Sequence, residues 1–284
     1  MRLSSRQLTA FMTVAATLNF TRAAERLNIT QSALSHRIQG LESELGITLM
    51  NRSSRGVQLT EAGNRLLRFC RANASLEEEI LAELAPEPDG RLRGLVRIAS
   101  HSAILRPVLI PALAATLRDN PLVQCELILA EFKDLPGLLQ RNEADFVIMD
   151  RRLGQSGLET HTLGQEVYIA VEGPGGTARQ DIYLDLEPED HVTAEFFRHQ
   201  ESVPEYRRSF MGDVFGIIAG VELGLGRAVV SKHLIREHPA IRILPQFQPV
   251  ATPVTLHYHT QPFTTRLHRE IRDVLCRECP KYLD

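Results

Sequence analysis

Gln31, Ser32, Ser35, His36, Gln39 and Ser43 recur at intervals that put them on one side of a helix, and each carries a group that can hydrogen-bond at a base edge. At about 100° per residue, Leu34, Ile38, Leu41 and Leu45 fall on the opposite stripe and face a core. The polar side has no acid before Glu42, whereas a solvated helix face carries Lys and Glu, so it suits a groove lined by phosphates. Taken alone, this helix also fits an ordinary amphipathic surface element.

Three other clusters carry possible chemistry. Ser100-His101-Ser102 follows a short apolar run and precedes a helical one, the junction at which open α/β sheets hold ligands and exposed amides favour an anion; the serines can equally be plain helix caps. Cys276 and Cys279 form a C-x-x-C pair, which is only two metal ligands but can sense oxidants. His257 and His259 share one face of a strand, a geometry open to metal but met more often as structural hydrogen bonding. Catalysis finds no support: Ser100 and His101 are neighbours that point apart, without a glycine elbow. The Gly173-Pro174-Gly175-Gly176 turn lacks the Lys-Ser/Thr of a phosphate loop. The reading is therefore a non-enzyme with no catalytic residues, no bound metal and no cofactor.

The polar helix needs a scaffold, and its neighbours supply one. Thr21 and Thr30 stand where N-caps open two short helices around the break Leu27-Asn28-Ile29, a helix-turn-helix pattern. Leu8, Phe11, Ala15 and Leu18 recur at helical spacing to support it from behind. Arg55-Gly56 can turn a hairpin that presents Arg52 and Arg55 to a phosphate or the minor groove, or to solvent. Residues 1–73 contain ten Arg, no Lys and four Glu, a balance of +6 in a chain at −3, the electrostatic footprint of a nucleic-acid module attached to something else. Beyond Thr60, Ala62, Leu66, Phe69, Leu76 and Ile80 recur near every 3.5 residues with Asn73 at a polar seam position, the spacing of a dimerisation helix. An acidic stretch ending in Pro86, Pro88 and Gly90 marks a linker.

The stretch LSSRQLTAFMTVAATLNFTRAAERLNITQSALSHRIQGLESELGITLMNRSSRGVQLTEAG resembles the winged helix-turn-helix of LysR-type transcriptional regulators. The resemblance implies that Gln31, Ser32, Ser35 and His36 read the major groove of double-stranded DNA, with Gln39 on the same face and Arg52 and Arg55 in the wing. His36 stands where the family often has Arg, and Met50 where it usually has Phe. From 94 onward, strands are expected at 95–99, 123–129, 146–149, 167–171, 228–230, 241–244 and 254–258. Helices are expected at 107–117, 135–140, 215–223 and about 264–275. This half resembles the LysR-type effector domain, with LGLGRAVVSKHL matching the family's glycine-rich helix end and Ser231 standing where many members have Pro.

The resemblance implies an N-terminal all-α winged helix-turn-helix plus long linker helix, and a C-terminal α/β, two-lobed, periplasmic-binding-protein-like effector domain. The expected divisions are 1–60 for DNA binding, 61–90 for the dimerisation helix and hinge, and 91–284 for the effector domain. Within the last, the first lobe takes about 91–162 and 264–284 and the second about 163–263, with crossings near 150–163 and 258–263. Ser100, His101 and Ser102, with Thr193 and Asp213 from the second lobe, are the expected contacts of a small, anionic effector. Leu66, Phe69, Leu76 and Ile80 are the expected dimer contacts, and the family assembles further into tetramers. Hydrophobic residues at 43% can build real cores, and no apolar run is long enough to span a bilayer. MRLSSRQLTAF lacks the apolar stretch of a secretory signal, so the expected location is the cytoplasm, with reduced cysteines. Two alternatives stand beside this reading: a thiol-based redox-sensing regulator, and a stand-alone small-molecule binding protein, which would lack the basic DNA-reading helix.

Overall fold

The computed structural model describes residues 3–53, 56–84, 90–174, 179–260 and 264–283. The chain divides into two compact units, one comprising 1–90 with 140–143 and 262–266, and the other comprising the rest.

The first unit holds α1 (Ser5–Thr17), α2 (Phe20–Arg26), α3 (Gln31–Leu45), β1 (Met50–Ser53), β2 (Gly56–Leu59) and α4 (Glu61–Glu83). Phe11 and Val14 of α1, Ala23 of α2 and Leu34, Ile38 and Leu41 of α3 close one small core, each excluded from solvent. Thr30 caps α3 as expected, accepting from the Ala33 amide at 3.1 Å. For α2 the cap is Asn19, which accepts from the Arg22 amide at 3.1 Å; Thr21 lies inside the helix, because opening two residues earlier buries Phe20. Leu18 was expected in the core, yet it sits at the left-handed end of α1 with φ 48° and is 49% exposed.

The hairpin β1–β2 pairs Met50 with Leu59 through Ser53 with Gly56. Glu42 ties it to the end of α3 by accepting from the amides of Leu49 (2.7 Å) and Met50 (3.2 Å). Thr60 caps α4 through the Gly63 amide. A Cβ at Gly63 would lie 2.1 Å from the Leu49 carbonyl oxygen, so only glycine lets α4 approach the hairpin this closely. On α4, Leu67 and Cys70 are buried in the core and Leu66 leans on it, whereas Phe69, Ile80 and Leu81 are exposed. The expected seam is thus divided: its first positions serve the unit's own core, Leu76 is half-buried, and Phe69 and Ile80 remain open.

The second unit is built on one nine-stranded sheet of β3 (Arg93–Ser100), β4 (Leu122–Leu129), β5 (Phe146–Met149), β6 (Leu158–Glu172), β7 (Ile182–Asp185), β8 (Arg207–Phe210), β9 (Arg227–Ser231), β10 (Arg242–Ile243) and β11 (Val250–His259). Its order is β4-β3-β5-β11-β6-β9-β7-β8, with β10 beside β6. The strands expected at 167–171 and 254–258 are only parts of two long antiparallel ones. One stretch of β11 pairs with β5, β6 pairs with β9, and the register between β6 and β11 shifts at Val254/Thr255. That shift separates a first lobe (β3–β5) from a second (β7–β10), earlier in the chain than the expected return crossing at 258–263, of which 261–263 lie outside the described residues. β7 was not anticipated, because four residues buried on both faces carry no alternation to read.

Helices cover both faces in each lobe. α6 (Ile110–Asp119) and α10 (Arg266–Glu278) pack with Ile98, Phe146, Ile148 and Leu256, and α7 (Leu135–Gln140) packs on the other side against Ala99, Val147 and Met149. In the second lobe α9 (Val214–Glu222) packs on Ile169, Leu184 and Val230, while α8 (Val192–Arg198) joins Phe196 and Phe197 to Tyr183 on the reverse. The helix expected at 107–117 begins earlier, as α5 (Ser102–Ile104), and reaches α6 through a wide π turn, Leu105–Leu109. Pro107 has no N–H to give to the Ala103 carbonyl, and that oxygen accepts from His233 Nε2 at 2.8 Å.

Candidate functional site

On α3, Gln31, Ser32, His36, Gln39 and Ser43 are exposed on the side away from Leu34, Ile38 and Leu41, and Ser35 is half-buried among them. Arg52 of β1 lies over the Phe20 ring, 3.9 Å from its centroid, and its guanidinium donates to Ser35 Oγ at 3.4 Å. The hairpin thereby brings a fixed positive charge beside the polar face of α3. Arg55 lies outside the described residues.

In the second unit, β3, β4, β5, β7 and β9 end toward one cavity of about 660 Å³ between the lobes, a volume suited to a small organic ligand. The residues just beyond those ends make its wall: His101 and Ser102 after β3, Glu131 and Phe132 after β4, Asp150 and Arg151 after β5, Glu187 and Asp190 after β7. Val214 and Ile217 of α9, with Val230 and Leu234, give an apolar floor.

His101 lies against Phe132, with ring centroids 4.3 Å apart and planes tilted by 35°, and its Nε2 lies 3.7 Å from Glu166 Oε2. Burial, reinforced by the neighbouring His233, holds its pKa down at about 3, so the imidazole is neutral. Glu166 is fully buried behind the wall and accepts from Ser231 Oγ at 2.6 Å. The Tyr168 phenol is pushed well above its ordinary range by burial, then by Glu166 and Asp150, and stays protonated. Burial also raises Asp150, and Glu131 is raised by burial and by Glu187 across the cleft.

Of the five residues expected to touch an effector, His101 and Ser102 line this cavity. The other three are engaged elsewhere. Ser100 is fully buried and donates to the Ile148 carbonyl at 2.9 Å, stitching β3 to β5. Thr193 donates to Asp185 at 2.5 Å and anchors α8 to β7. Asp213 caps α9 by accepting from the Gly216 amide at 2.6 Å. The 100–102 loop opens α5, which runs for three residues before the π turn, and the surrounding wall is rich in carboxylates.

The family profile described as "Bacterial regulatory helix-turn-helix protein, lysR family" matches residues 5–64, and that of the "LysR substrate binding domain" matches residues 89–280. The chain belongs to the LysR family. It is a LysR-type transcriptional regulator with a helix-turn-helix DNA-binding domain and an effector-binding domain. Among relatives, the HTH-type transcriptional regulator ArgP of Aeromonas salmonicida is 30% identical over 279 residues, covering 92% of this chain and 91% of that protein. A putative transcriptional regulator of Pseudomonas aeruginosa is 42% identical over 124 residues, and ShiR of Corynebacterium glutamicum 33% over 168. Those two matches span 42% and 58% of this chain but only 39% and 56% of the relatives' own lengths. Two solved structures share the fold at a TM-score of 0.77. ArgP from Mycobacterium tuberculosis is 22% identical and aligned over 98% of both chains, and full-length LysG from Corynebacterium glutamicum with bound effector Arg is 20% identical over 99% of both.

In this LysR-type regulator the remaining chemical candidates have structural duties. Burial raises the Cys279 thiol to about 12 and Cys70 to about 11, and it also raises Cys125 and Cys276, which leaves little thiolate for a redox switch at neutral pH. His257 hydrogen-bonds Thr160, Thr255 and the Arg151 carbonyl, and His259 bonds the Leu139 carbonyl. Gly175 and Gly176 lie outside the described residues. Among the described residues no group of three His, Cys, Asp or Glu could hold a metal, and no helix is long and apolar enough to cross a membrane.

Sequence reasoning missed Glu131, Phe132, Asp150, Tyr168, Glu187 and Asp190 in the cavity. A signal existed for two of them: 123–129 and 146–149 were legible as strands, and the residues one or two beyond their ends are where such a sheet holds ligands.

Proposed function

We propose that this regulator binds a specific operator as a homodimer or a larger assembly, and that a small molecule seated between the effector lobes controls it. Gln31, Ser32, Ser35, His36 and Gln39 would read base edges while Arg52 and Arg55 grip the backbone. Phe69, Leu76 and Ile80, with Leu66 at their start, would pair α4 with its copy. The working divisions are 1–60, 61–90 and 91–284, and the place of action is the cytoplasm, where such a protein meets its DNA; the chain acts by binding rather than by catalysis. The observation that carries the reading is the exposed, acid-free polar face of α3 with Arg52 held beside it.

Sequencing genomic fragments retained by the purified protein would define the operator. On that operator Gln31→Ala or Ser35→Ala is expected to lose about 1–3 kcal/mol of discrimination, with smaller losses on random DNA. Arg52→Ala is expected to weaken both and to flatten the salt dependence by about one phosphate contact. Equal losses for all three variants on both DNAs would refute these roles.

A further inference from the structure

The effector reading leaves the ligand's chemistry open, and the cavity wall speaks to it. Six acidic residues line that wall, Glu131, Asp150, Glu187, Glu189, Asp190 and Glu195, against two cations, Lys133 and Arg151; Asp190 accepts from the amides of Leu186 and Val192 and Glu195 pairs with Arg198, which leaves four carboxyls against the two cations. They come from both lobes, so closing the lobes on one another brings like charges together unless a positive group lies between them. One carboxyl of the wall is also short of a partner. Asp150 Oδ1 makes no hydrogen bond within the protein, whereas His101 Nε2 turns to the buried Glu166 carboxyl at 3.7 Å. An ionised carboxylate only accepts. A ligand rich in N–H donors suits Asp150 and the carboxyl-rich wall around it.

We propose that the inter-lobe cavity takes a small organic cation, a molecule carrying an ammonium or guanidinium group. Its charged end sits between Asp150 and the Glu131–Glu187 pair, and its carbon chain lies against Phe132 and the floor formed by Val214, Ile217 and Val230. Lys133 and Arg151 can meet a carboxylate on the same molecule, so a cationic amino acid fits as well as a diamine. This inference rests on the cavity being the effector site.

The test is calorimetric titration of the full-length protein with three probe sets of similar size: cations (cadaverine, agmatine, L-lysine), neutral analogues (L-norleucine, L-citrulline) and anions (glutarate, citrate). Binding is expected for at least one cation and for none of the others. Asp150→Asn and the double variant Glu131→Gln/Glu187→Gln should each weaken it by about tenfold or more, as expected for loss of hydrogen bonds to a charged group. The wall-filling variant Ile217→Trp, or Thr252→Trp at the rim if the former fails to melt cooperatively, should abolish it. Binding of anions or neutral molecules that the filling variants remove would overturn the cation inference and leave the cavity reading standing. Cation binding undiminished in the filling variants would overturn both, and binding of no cation at all would overturn the inference.

Discussion

At the residue scale the cavity is held in a state that folding alone would not choose. Asp150 is raised chiefly by burial, so its ionised form is disfavoured in the folded protein. For a carboxyl raised in this way, folding takes up a proton, and stability falls as pH rises from the ordinary carboxylate range through the raised value. Asp150→Asn is therefore expected to raise the melting midpoint of the ligand-free protein at pH 7, with the gain vanishing at acid pH where Asp150 is protonated; calorimetric scans at both ends of that range check it. The thiols give a second prediction. With Cys70 and Cys279 at about 11 and about 12, native protein at pH 8 should react with an alkylating reagent far more slowly than urea-unfolded protein, followed by mass spectrometry. Fast labelling of Cys276 or Cys279 in the native protein would revive the redox alternative. Residue types at strand ends were readable in the sequence, but which way each side chain turns was not. Ser100 and Ser102 look equivalent as text, yet one hydroxyl bonds the Ile148 carbonyl inside the sheet while the other faces the cavity.

At the element scale legibility followed the strength of the periodic signal. α3 was readable because Thr30 marks its start, the stripe of Leu34, Ile38 and Leu41 repeats cleanly, and Gly46 ends it in a left-handed turn with φ 66°. The helix after β3 was misplaced because Pro107 reads as an opening residue, whereas a π turn lets the helix run through it. The long β6 and β11 were only half legible, since the lobe crossing divides each into stretches with different neighbours. The cap at Thr30 predicts that Thr30→Ala costs about 1 kcal/mol of stability in the DNA-binding unit, measurable by urea denaturation. For α4, the seam spacing said that a helix would pair but not with what. Its first apolar positions pack on Leu67's own core, and Phe69 and Ile80 remain 48% and 52% exposed. Replacing both with Asp would place charges in the helix pair, where an unpaired buried ion costs several kcal/mol. Sedimentation should then show monomers, with the recognition helix itself intact. A variant still dimeric would move the interface elsewhere.

At the scale of the whole molecule, charge is divided between the two tasks: residues 1–73 carry +6 of a chain at −3, which leaves −9 on residues 74–284. The basic end gathers DNA and the acidic remainder includes the wall that we assign to a cation. Two binding events on one chain are informative about regulation only if they are coupled, and coupling is reciprocal. If a cation changes operator affinity by some factor, the operator must change the cation's affinity by the same factor, and allosteric coupling in proteins typically corresponds to about 5–150-fold. The expected outcome is that cation affinity, titrated with and without saturating operator, shifts by the same factor as operator affinity titrated with and without saturating cation. Because phosphate contacts dominate DNA affinity, both titrations need the same salt, or the two factors will differ for reasons unrelated to coupling. A cation that binds the cavity tightly yet leaves operator affinity unchanged has equal affinity for both arrangements of the protein and cannot switch it. That result would make the cavity a binding site without a regulatory role, and the search for the effector would begin again from the DNA-bound form.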